Sequence, residues 1–461
     1  MIKNDLTDTI AAIATALGFG GIGIVRISGK EALNIADKIF VSVDKNGKPS
    51  NFKTYTTHYG IIVNKGSIID EVILTVMLGP KSYTKEDIVE INCHGGIVAL
   101  TDVLNLVLEN GARLAEPGEF TKRAFLNGRI DLAQAEAVLD IIRAKTDSAL
   151  KVSVNQLKGS LSGQINKYRT FLLDILAQLE ANIDFPEEEI SQGDYQAIII
   201  KIREINNGLL DLINNSKLAR VLREGIHVVI CGCPNVGKSS LLNALLKEER
   251  SIVTSVAGTT RDTIEEMIDI KGIPVKVVDT AGILKPRDSI EKKAVLRSRK
   301  QIDSADLVIM LFDGSKKLTP EDLELALKLR KKPVIALVNK MDLRQNIQRE
   351  RIEKIFKHVI DISAKKIKNI NLLEEAIADL VYAGRLIRTE SIMISNLRHI
   401  KILQKAQKDV AEIIKSLDNE LSLELVAQGI KEVLEYLDDI LGKRFSEDLL
   451  DKIFSEFCIG K

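Results

Sequence analysis

The most informative chemistry in the chain is a phosphate-binding pattern near its middle. Residues 232–239 read Gly-Cys-Pro-Asn-Val-Gly-Lys-Ser and match G-x-x-x-x-G-K-[ST]. A strand-like run at 227–231 precedes them and a helical run at 240–246 follows, which is the context that the pattern requires. Backbone N–H groups at such a helix N-terminus can bind phosphate oxygens, Lys238 can neutralise the β/γ charge, and the Ser239 hydroxyl can ligate Mg²⁺. These residues predict a nucleoside triphosphate site.

Further motifs in the same stretch of chain favour GTP. Asp279-Thr-Ala-Gly282 offers an acid that can hold Mg²⁺ through water and an N–H that can meet a γ-phosphate. In Asn339-Lys-Met-Asp342 the last carboxylate can accept both N–H groups of a guanine edge, which adenine lacks. Ser363-Ala-Lys365 stands in the place of the supporting base loop, and Thr260 can complete the Mg²⁺ shell. Each motif alone also fits a turn, cap or loop role, but their joint order predicts a GTPase.

The residue that orients the attacking water is not the usual one. Ile283 follows Gly282, where Ras-like GTPases have a Gln. Asp288 and Glu291 are the nearby acids that can hold the water, or they lie on a solvated loop. Asn235 can present an amide oxygen to a monovalent cation that bridges the phosphates, or it can stabilise its own loop.

Composition limits the other classes of function. The 461 residues carry a net charge of +1, so any nucleic-acid contact must be local. Trp is absent and aromatic residues make up 4%, which argues against a stacking platform for single strands. Four cysteines are too few to staple a chain of this size, and the uncharged stretch 9–25 lacks the charge pattern of a signal peptide. We therefore expect a cytoplasmic protein without membrane contact.

Periodicity along the chain predicts a multidomain protein. Short β-type runs dominate the first part, helical spacing follows, strands and helices then alternate, and helical spacing returns at the end. Because a helical hairpin with an exposed apolar stripe is unfavourable, we expect the α/β block to be inserted into one helical domain rather than four domains in a row. The predicted fold is an α+β domain at 1–120, an α-helical domain from 121–220 plus 381–461, and an inserted α/β P-loop GTPase (G) domain at 221–380.

Several segments outside the GTPase motifs carry a resemblance to a known family. They are Gly21–Gly29, Cys93–Gly96, Pro117–Asn127, Asp131–Glu136 and the terminal Phe457–Lys461. Together with the GTPase motifs they resemble the MnmE (TrmE) family of tRNA-modifying GTPases over nearly the full length. Other GTPases share the phosphate loop and Asn-Lys-x-Asp but not these flanks.

The resemblance implies an enzyme that acts on tRNA. It implies a homodimer joined through an N-terminal folate-binding domain, and an FAD-containing partner of the MnmG type. Together these proteins would modify C5 of the wobble uridine, U34, with a one-carbon unit from 5-formyl- or methylene-tetrahydrofolate. K⁺ would stimulate GTP hydrolysis when two G domains meet.

The resemblance also assigns roles to residues. It implies K⁺ ligands at Asn235, Thr254, Val256 and Thr259, and Mg²⁺ ligands at Ser239 and Thr260. It gives Glu291 the catalytic water and Cys458 a role in modification. The folate positions are Arg26, Glu90, Lys461 and Arg129, the last standing where the family usually has Lys. The whole expected GTP site comprises Asn235, Val236, Gly237, Lys238, Ser239, Ser240, Thr254, Ser255, Val256, Ala257, Gly258, Thr259, Thr260, Asp279, Thr280, Ala281, Gly282, Asn339, Lys340, Asp342, Ser363 and Ala364.

A second class of function stays open at this point. A regulatory GTPase switch that acts on RNA or ribosomes, without modification chemistry, would carry the same GTPase motifs. The folate-type N-terminal domain and the terminal Cys-Ile-Gly-Lys discriminate between the two, since a switch needs neither.

Overall fold

The computed structural model describes residues 8–44, 47–185, 192–247, 266–279, 301–382, 392–419 and 421–461. They fall into two compact units. The first comprises Met1–Leu139, Leu157–Leu173 and Lys431–Lys461, and the second comprises Asp140–Gln156 and Asp174–Ile430. These units differ from the predicted domain boundaries, which stay a prediction.

A seven-stranded sheet forms the core of the first unit. Its strands lie in the order β3-β4-β5-β6-β2-β1-β7, antiparallel except for the β1–β7 pair. The bounds are β1 Ile10–Ile13, β2 Ile22–Ser28, β3 Phe40–Ser42, β4 Thr56–Asn64, β5 Ser67–Met77, β6 Ile88–His94 and β7 Arg113–Leu114. Helices α1 (Ala32–Ile39) and α2 (Ile97–Glu109) cover the face that carries Val25, Ile27 and Ile91. Because side chains alternate along a strand, Arg26 and Glu90 point to the opposite face.

The end of the chain packs back onto this unit. Helix α14 (Glu447–Phe454) begins after Ser446, whose Oγ accepts a hydrogen bond from Leu449 N at 3.2 Å. Phe454 and Phe457 are buried with Ala124 and Phe125 of α3 (Glu119–Leu126). This apolar contact holds the last residues beside the sheet.

A six-stranded sheet forms the core of the second unit and confirms the predicted α/β block. The strands lie in the order β13-β12-β11-β8-β10-β9, parallel apart from β9. Their bounds are β8 Ile226–Gly232, β9 Glu266–Ile270, β10 Ile273–Asp279, β11 Leu307–Asp313, β12 Val334–Asn339 and β13 His358–Asp361. Chain order reverses at β8, with β10 on one side and β11 on the other. The carboxyl end of β8 is therefore the switch point at which open α/β sheets bind ligands.

Helices from both sides of the α/β block in sequence pack together, as expected for an inserted domain. Helices α7 (Gln192–Glu224) and α12 (Leu397–Asp418) are joined by Tyr195 Oη, which donates to Leu417 O at 2.9 Å. Arg203 adds an ion pair to Asp418 at 2.8 Å. The other described helices are α4 Leu132–Arg143, α5 Asp147–Leu157, α6 Ser160–Asp184, α8 Lys238–Lys247, α9 Pro320–Leu329, α10 Arg349–Glu353, α11 Ile370–Tyr382 and α13 Leu423–Leu441. Within the described ranges, none of the helices is long and apolar enough to cross a bilayer.

Candidate functional site

The phosphate loop connects the central strand β8 to helix α8. Gly232 and Gly237 have φ values of 148° and 105°, a region that favours glycine. A Cβ at Gly237 would lie 2.3 Å from Asn339 Nδ2, so no larger residue fits there. Lys238 opens the helix, and its Nζ donates to Gly232 O and Cys233 O at 3.1 Å. The Lys238 side chain thus folds back onto the carbonyl groups of its own loop. The backbone N–H groups at the N-terminus of α8 belong to the same loop.

Asn339 links this loop to the two segments expected to hold the base. It ends β12 and its side chain is buried. Its Nδ2 donates to Val236 O at 2.8 Å, and its Oδ1 accepts from Ala364 N at 3.0 Å. The predicted phosphate, base and supporting loops therefore meet at one amide group.

The Asp342 side chain has the accessibility and the negative charge that are needed to bind a guanine base. Its side chain is exposed, and Ser363 Oγ donates to its Oδ1 at 2.6 Å. Ser363 is itself buried, and its Oγ accepts from Lys366 N at 3.2 Å. The hydrogen bond from Ser363 lowers the pKa of Asp342, so the carboxylate is ionised at neutral pH and oriented by a fixed hydroxyl.

Asp313 belongs to this arrangement, although the sequence reasoning did not select it. It ends β11, beside Asn339 in the β11–β12 register. Lys340 Nζ lies 2.6 Å from Asp313 Oδ2 and donates to Asn235 O at 2.8 Å. Its position offered a signal, because Asp279, Asp313 and Asn339 are each the last residue of a parallel strand.

The candidate folate residues lie together in the first unit. Arg26 and Glu90 are opposite each other across β2 and β6, and Arg26 Nε and Nη2 each lie 2.7 Å from Glu90 Oε1. The guanidinium carbon of Arg129 lies 4.5 Å from the centre of the Tyr83 ring, and that of Arg26 lies 5.8 Å from it. Phe120 lies 5.6 Å from the same Arg26 carbon. Tyr83 and Phe120 were missed in the sequence, where single aromatic residues give no distinctive signal.

The chain terminus reaches the same place. Arg26 Nη1 donates to Gly460 O at 3.2 Å. Gly460 has φ of 91°, and a Cβ there would lie 2.3 Å from Ile13 O. The Cys458 carbonyl accepts from Gly118 N and Lys461 N, each at 3.4 Å, while the Cys458 side chain is exposed. The tail is therefore seated at the candidate folate residues with its thiol open to solvent.

Comparisons with known proteins identify the family of the chain. Residues 9–129 match the family model "GTP-binding protein TrmE N-terminus", and residues 132–458 match "MnmE helical domain". The chain belongs to the MnmE family. A relative named tRNA modification GTPase MnmE, from Clostridioides difficile (strain 630), is 49% identical and covers 99% of this chain and all of its own. One of the same name from Bacillus subtilis (strain 168) is 44% identical over 98% of this chain and all of its own.

The solved structures add nothing to the MnmE assignment. A crystal structure of Aquifex aeolicus Era bound to GDP and AlF₄⁻ matches at 30% identity and a TM-score of 0.29. It covers 40% of this chain and 66% of that chain.

Part of the expected MnmE nucleotide site lies outside the described residues. This holds for Thr254, Ser255, Val256, Ala257, Gly258, Thr259, Thr260, Thr280, Ala281, Gly282 and Glu291. Asp279 is described as the last residue of β10, beside Ile230 of β8. Ser239 and Ser240 lie in the first turn of α8 with exposed side chains, so the Ser239 hydroxyl is open to a metal ion. Within the described ranges, no group of three or more His, Cys, Asp or Glu side chains is arranged to hold a metal.

Proposed function

We propose that this MnmE-family GTPase couples GTP hydrolysis to C5 modification of the wobble uridine, U34, of tRNA in the cytoplasm. The one-carbon unit would come from 5-formyl- or methylene-tetrahydrofolate, with an FAD-containing partner of the MnmG type. The observation that carries the proposal is the hydrogen bond from Arg26 to Gly460, at the pair that Arg26 forms with Glu90. It joins a candidate folate site to a tail that carries a thiol, and no GTPase core requires either.

The nucleotide part of the proposal assigns each group a task. Backbone N–H groups at the start of α8 and the Lys238 ammonium bind the phosphates, and the exposed Asp342 carboxylate binds the guanine edge. Ser239 and Thr260 would hold Mg²⁺, which when bound neutralises charge between the β- and γ-phosphates.

Hydrolysis would use a monovalent cation instead of an arginine finger. Asn235, Thr254, Val256 and Thr259 would hold K⁺, and Glu291 would orient the water. The backbone of Asn235 supports this, because its φ of 62° and the hydrogen bond from Lys340 fix the residue while its side chain is exposed. We propose that the K⁺-stimulated step occurs in a homodimer, when two G domains meet.

The folate part rests on complementary chemistry. A folate has a planar pterin with N–H groups and a glutamate tail with carboxylates. Glu90 can accept from the former, and Arg26, Arg129 and Lys461 can bind the latter. The side chains of Arg26 and Glu90 are 17% and 18% exposed, so a ligand meets partly desolvated charges. Cys458, on the same tail, would act in the transfer step or position its reactants.

Equilibrium binding of 5-formyl-tetrahydrofolate to the purified protein tests this function against a regulatory switch. We expect Arg26→Ala to abolish measurable binding, whereas Glu71→Gln, on the exposed part of β5, should bind as the parent does. GTP hydrolysis should be retained in both variants. Absence of folate binding by the parent protein would favour the switch.

A further inference from the structure

Helix α12 carries a row of lysines on the side away from its buried face. Its buried side chains include Leu403, Ala406, Val410, Ile413 and Leu417. Lys401, Lys408 and Lys415 recur every seven residues on the exposed side, with Lys405 between the first two. Seven residues bring a helix back to within about 20° of the same direction, so the three ammonium groups stay aligned. At about 1.5 Å per residue, the row from Lys401 to Lys415 is about 21 Å long.

This row is a local concentration of positive charge. Across the whole chain basic and acidic residues balance to a net charge of +1. Glu412 is the one exposed acid on this side of the described helix, and its Oε1 lies 3.8 Å from Lys408 Nζ. Lys401, Lys405 and Lys415 have no acidic partner among the residues that the structure describes.

The exposed charges of two other long helices have a different balance. Those of α7 are evenly mixed: Lys201, Arg203, Lys217 and Arg220 against Asp194, Glu204, Asp211 and Glu224. Those of α13 are mainly acidic: Glu424, Glu432 and Glu435 against Lys431. The exposed faces of α7 and α13 therefore carry no excess of positive charge. The exposed face of α12 differs from them, because lysines outnumber acids there.

We propose that the Lys401–Lys415 row binds the phosphate backbone of tRNA. This inference rests on the proposed function, which supplies the polyanion. Lysine ammonium groups act as point charges that neutralise phosphates without reading sequence. Helix α12 contains no Phe, Tyr or Trp, and the ring of His399 is buried, so its surface offers no ring on which an unpaired base could stack. The row therefore fits a paired stem of tRNA, where contacts to phosphates along one strand orient the molecule.

Salt-dependent binding of tRNA tests the row. The probe is a fluorescently labelled tRNA transcript with U34, titrated with the full-length protein at several NaCl concentrations. The variant Lys401→Gln, Lys408→Gln, Lys415→Gln removes three charges and keeps helix propensity, since Gln and Lys are similar in this respect. A control with the same charge change is Lys316→Gln, Lys331→Gln, Lys354→Gln, at three exposed positions elsewhere.

The row variant should bind the transcript about tenfold more weakly than the parent at a fixed low salt concentration. The plot of log affinity against log salt has a negative slope, and its magnitude should decrease by about 3 in the row variant, one for each lost phosphate contact. The control should change much less, and GTP hydrolysis and the melting temperature should stay as in the parent. Equal affinity and slope for the row variant and the control would overturn the proposal.

Two further results distinguish this inference from the proposed function. Loss of tRNA binding in the row variant supports the row even if a strain without the protein still modifies its wobble uridines. Normal tRNA binding by the row variant overturns the proposal that the row binds tRNA, even if that strain lacks the modification. If the row variant binds tRNA normally but no longer binds the flavoprotein partner, the row is a protein-docking face and the RNA assignment is wrong.

Discussion

The ion pair between Asp313 and Lys340 ties the base-recognition loop to the phosphate loop. Lys340 Nζ lies 2.6 Å from Asp313 Oδ2 and donates to Asn235 O at 2.8 Å. Burial of Asp313 works against its charge, but the hydrogen bonds from Lys340 and Ser315 outweigh it and lower the pKa of the carboxyl. The Asp313 carboxylate thus positions the Lys340 ammonium to donate its hydrogen bond to the Asn235 carbonyl in the phosphate loop.

Replacing Asp313 should weaken nucleotide binding more than it slows turnover. We expect Asp313→Asn to raise KM for GTP about 10- to 150-fold with a smaller change in kcat, since a charge-assisted hydrogen bond contributes about 1.5–3 kcal/mol. Asp303→Asn is a matched control, because Asp303 is 80% exposed and lies 3.9 Å from Lys332. Steady-state kinetics at saturating KCl decides, and an unchanged KM would show that Lys340 does not depend on Asp313.

Asp342 should determine the choice of base. Asp342→Asn exchanges an acceptor for a donor at the guanine edge, so we expect weaker GTP binding and a preference for xanthosine triphosphate. Ser363→Ala removes the hydroxyl that orients this carboxylate at 2.6 Å, and should weaken GTP binding less without changing the preferred base. Competition binding with the two nucleotides measures this. Parent-like affinity for GTP in Asp342→Asn would contradict the assignment.

Hydrolysis should depend on K⁺. We expect faster turnover in KCl than in NaCl at matched ionic strength, because Na⁺ is smaller and fits the same ligands less well. Asn235→Ala should lose this difference, and Glu291→Ala should lower kcat with little effect on nucleotide affinity. Equal rates in the two salts, or a K⁺ response that survives in Asn235→Ala, would count against the cation mechanism.

A buried arginine should make the first unit sensitive to acid. Arg123 is 1% exposed and contacts Asp8, Glu86 and Glu119. Burial opposes ionisation of Asp8 and Glu119, yet hydrogen bonds from Arg113, and from Arg123 in the case of Asp8, lower both pKa values. Depressed pKa values stabilise the fold above the ordinary values of 3.8 and 4.5, and this stability is lost as the pH falls through the folded-state values.

Thermal unfolding between pH 3 and 7 measures this contribution. Arg123→Met should destabilise the protein by about 3–5 kcal/mol at pH 7, since it removes the buried cation shared by Asp8, Glu86 and Glu119 and leaves Asp8 and Glu119 with Arg113 alone. The difference from the parent should shrink toward pH 3. Lys122→Ala, whose partner Asp451 is 67% exposed, should cost less than about 1 kcal/mol. A pH-independent difference for Arg123→Met would mean that packing, not charge, is lost.

The motifs predicted the nucleotide site better than its supporting contacts. Order along the chain placed Gly232–Ser239, Asn339 and Asp342 at strand ends, because parallel strands bring their carboxyl ends to one edge. Asp313 was missed because a single acid after a strand is common. Tyr83 and Phe120 gain meaning only when folding brings them to Arg26. Periodicity indicated the helical regions but not the division into compact units, which depends on long-range contacts that no local pattern encodes.

Mass analysis of wobble uridines tests the central claim most directly, that the tail performs modification while the G domain hydrolyses GTP. Nucleosides from a strain lacking the protein, and from that strain with the parent or Cys458→Ser, are compared. We expect the C5 modification to be absent without the protein, restored by the parent, and absent with Cys458→Ser, although this purified variant binds GTP and shows K⁺-stimulated hydrolysis near the parent's rate. Full modification in the Cys458→Ser strain, or its persistence without the protein, would contradict the account.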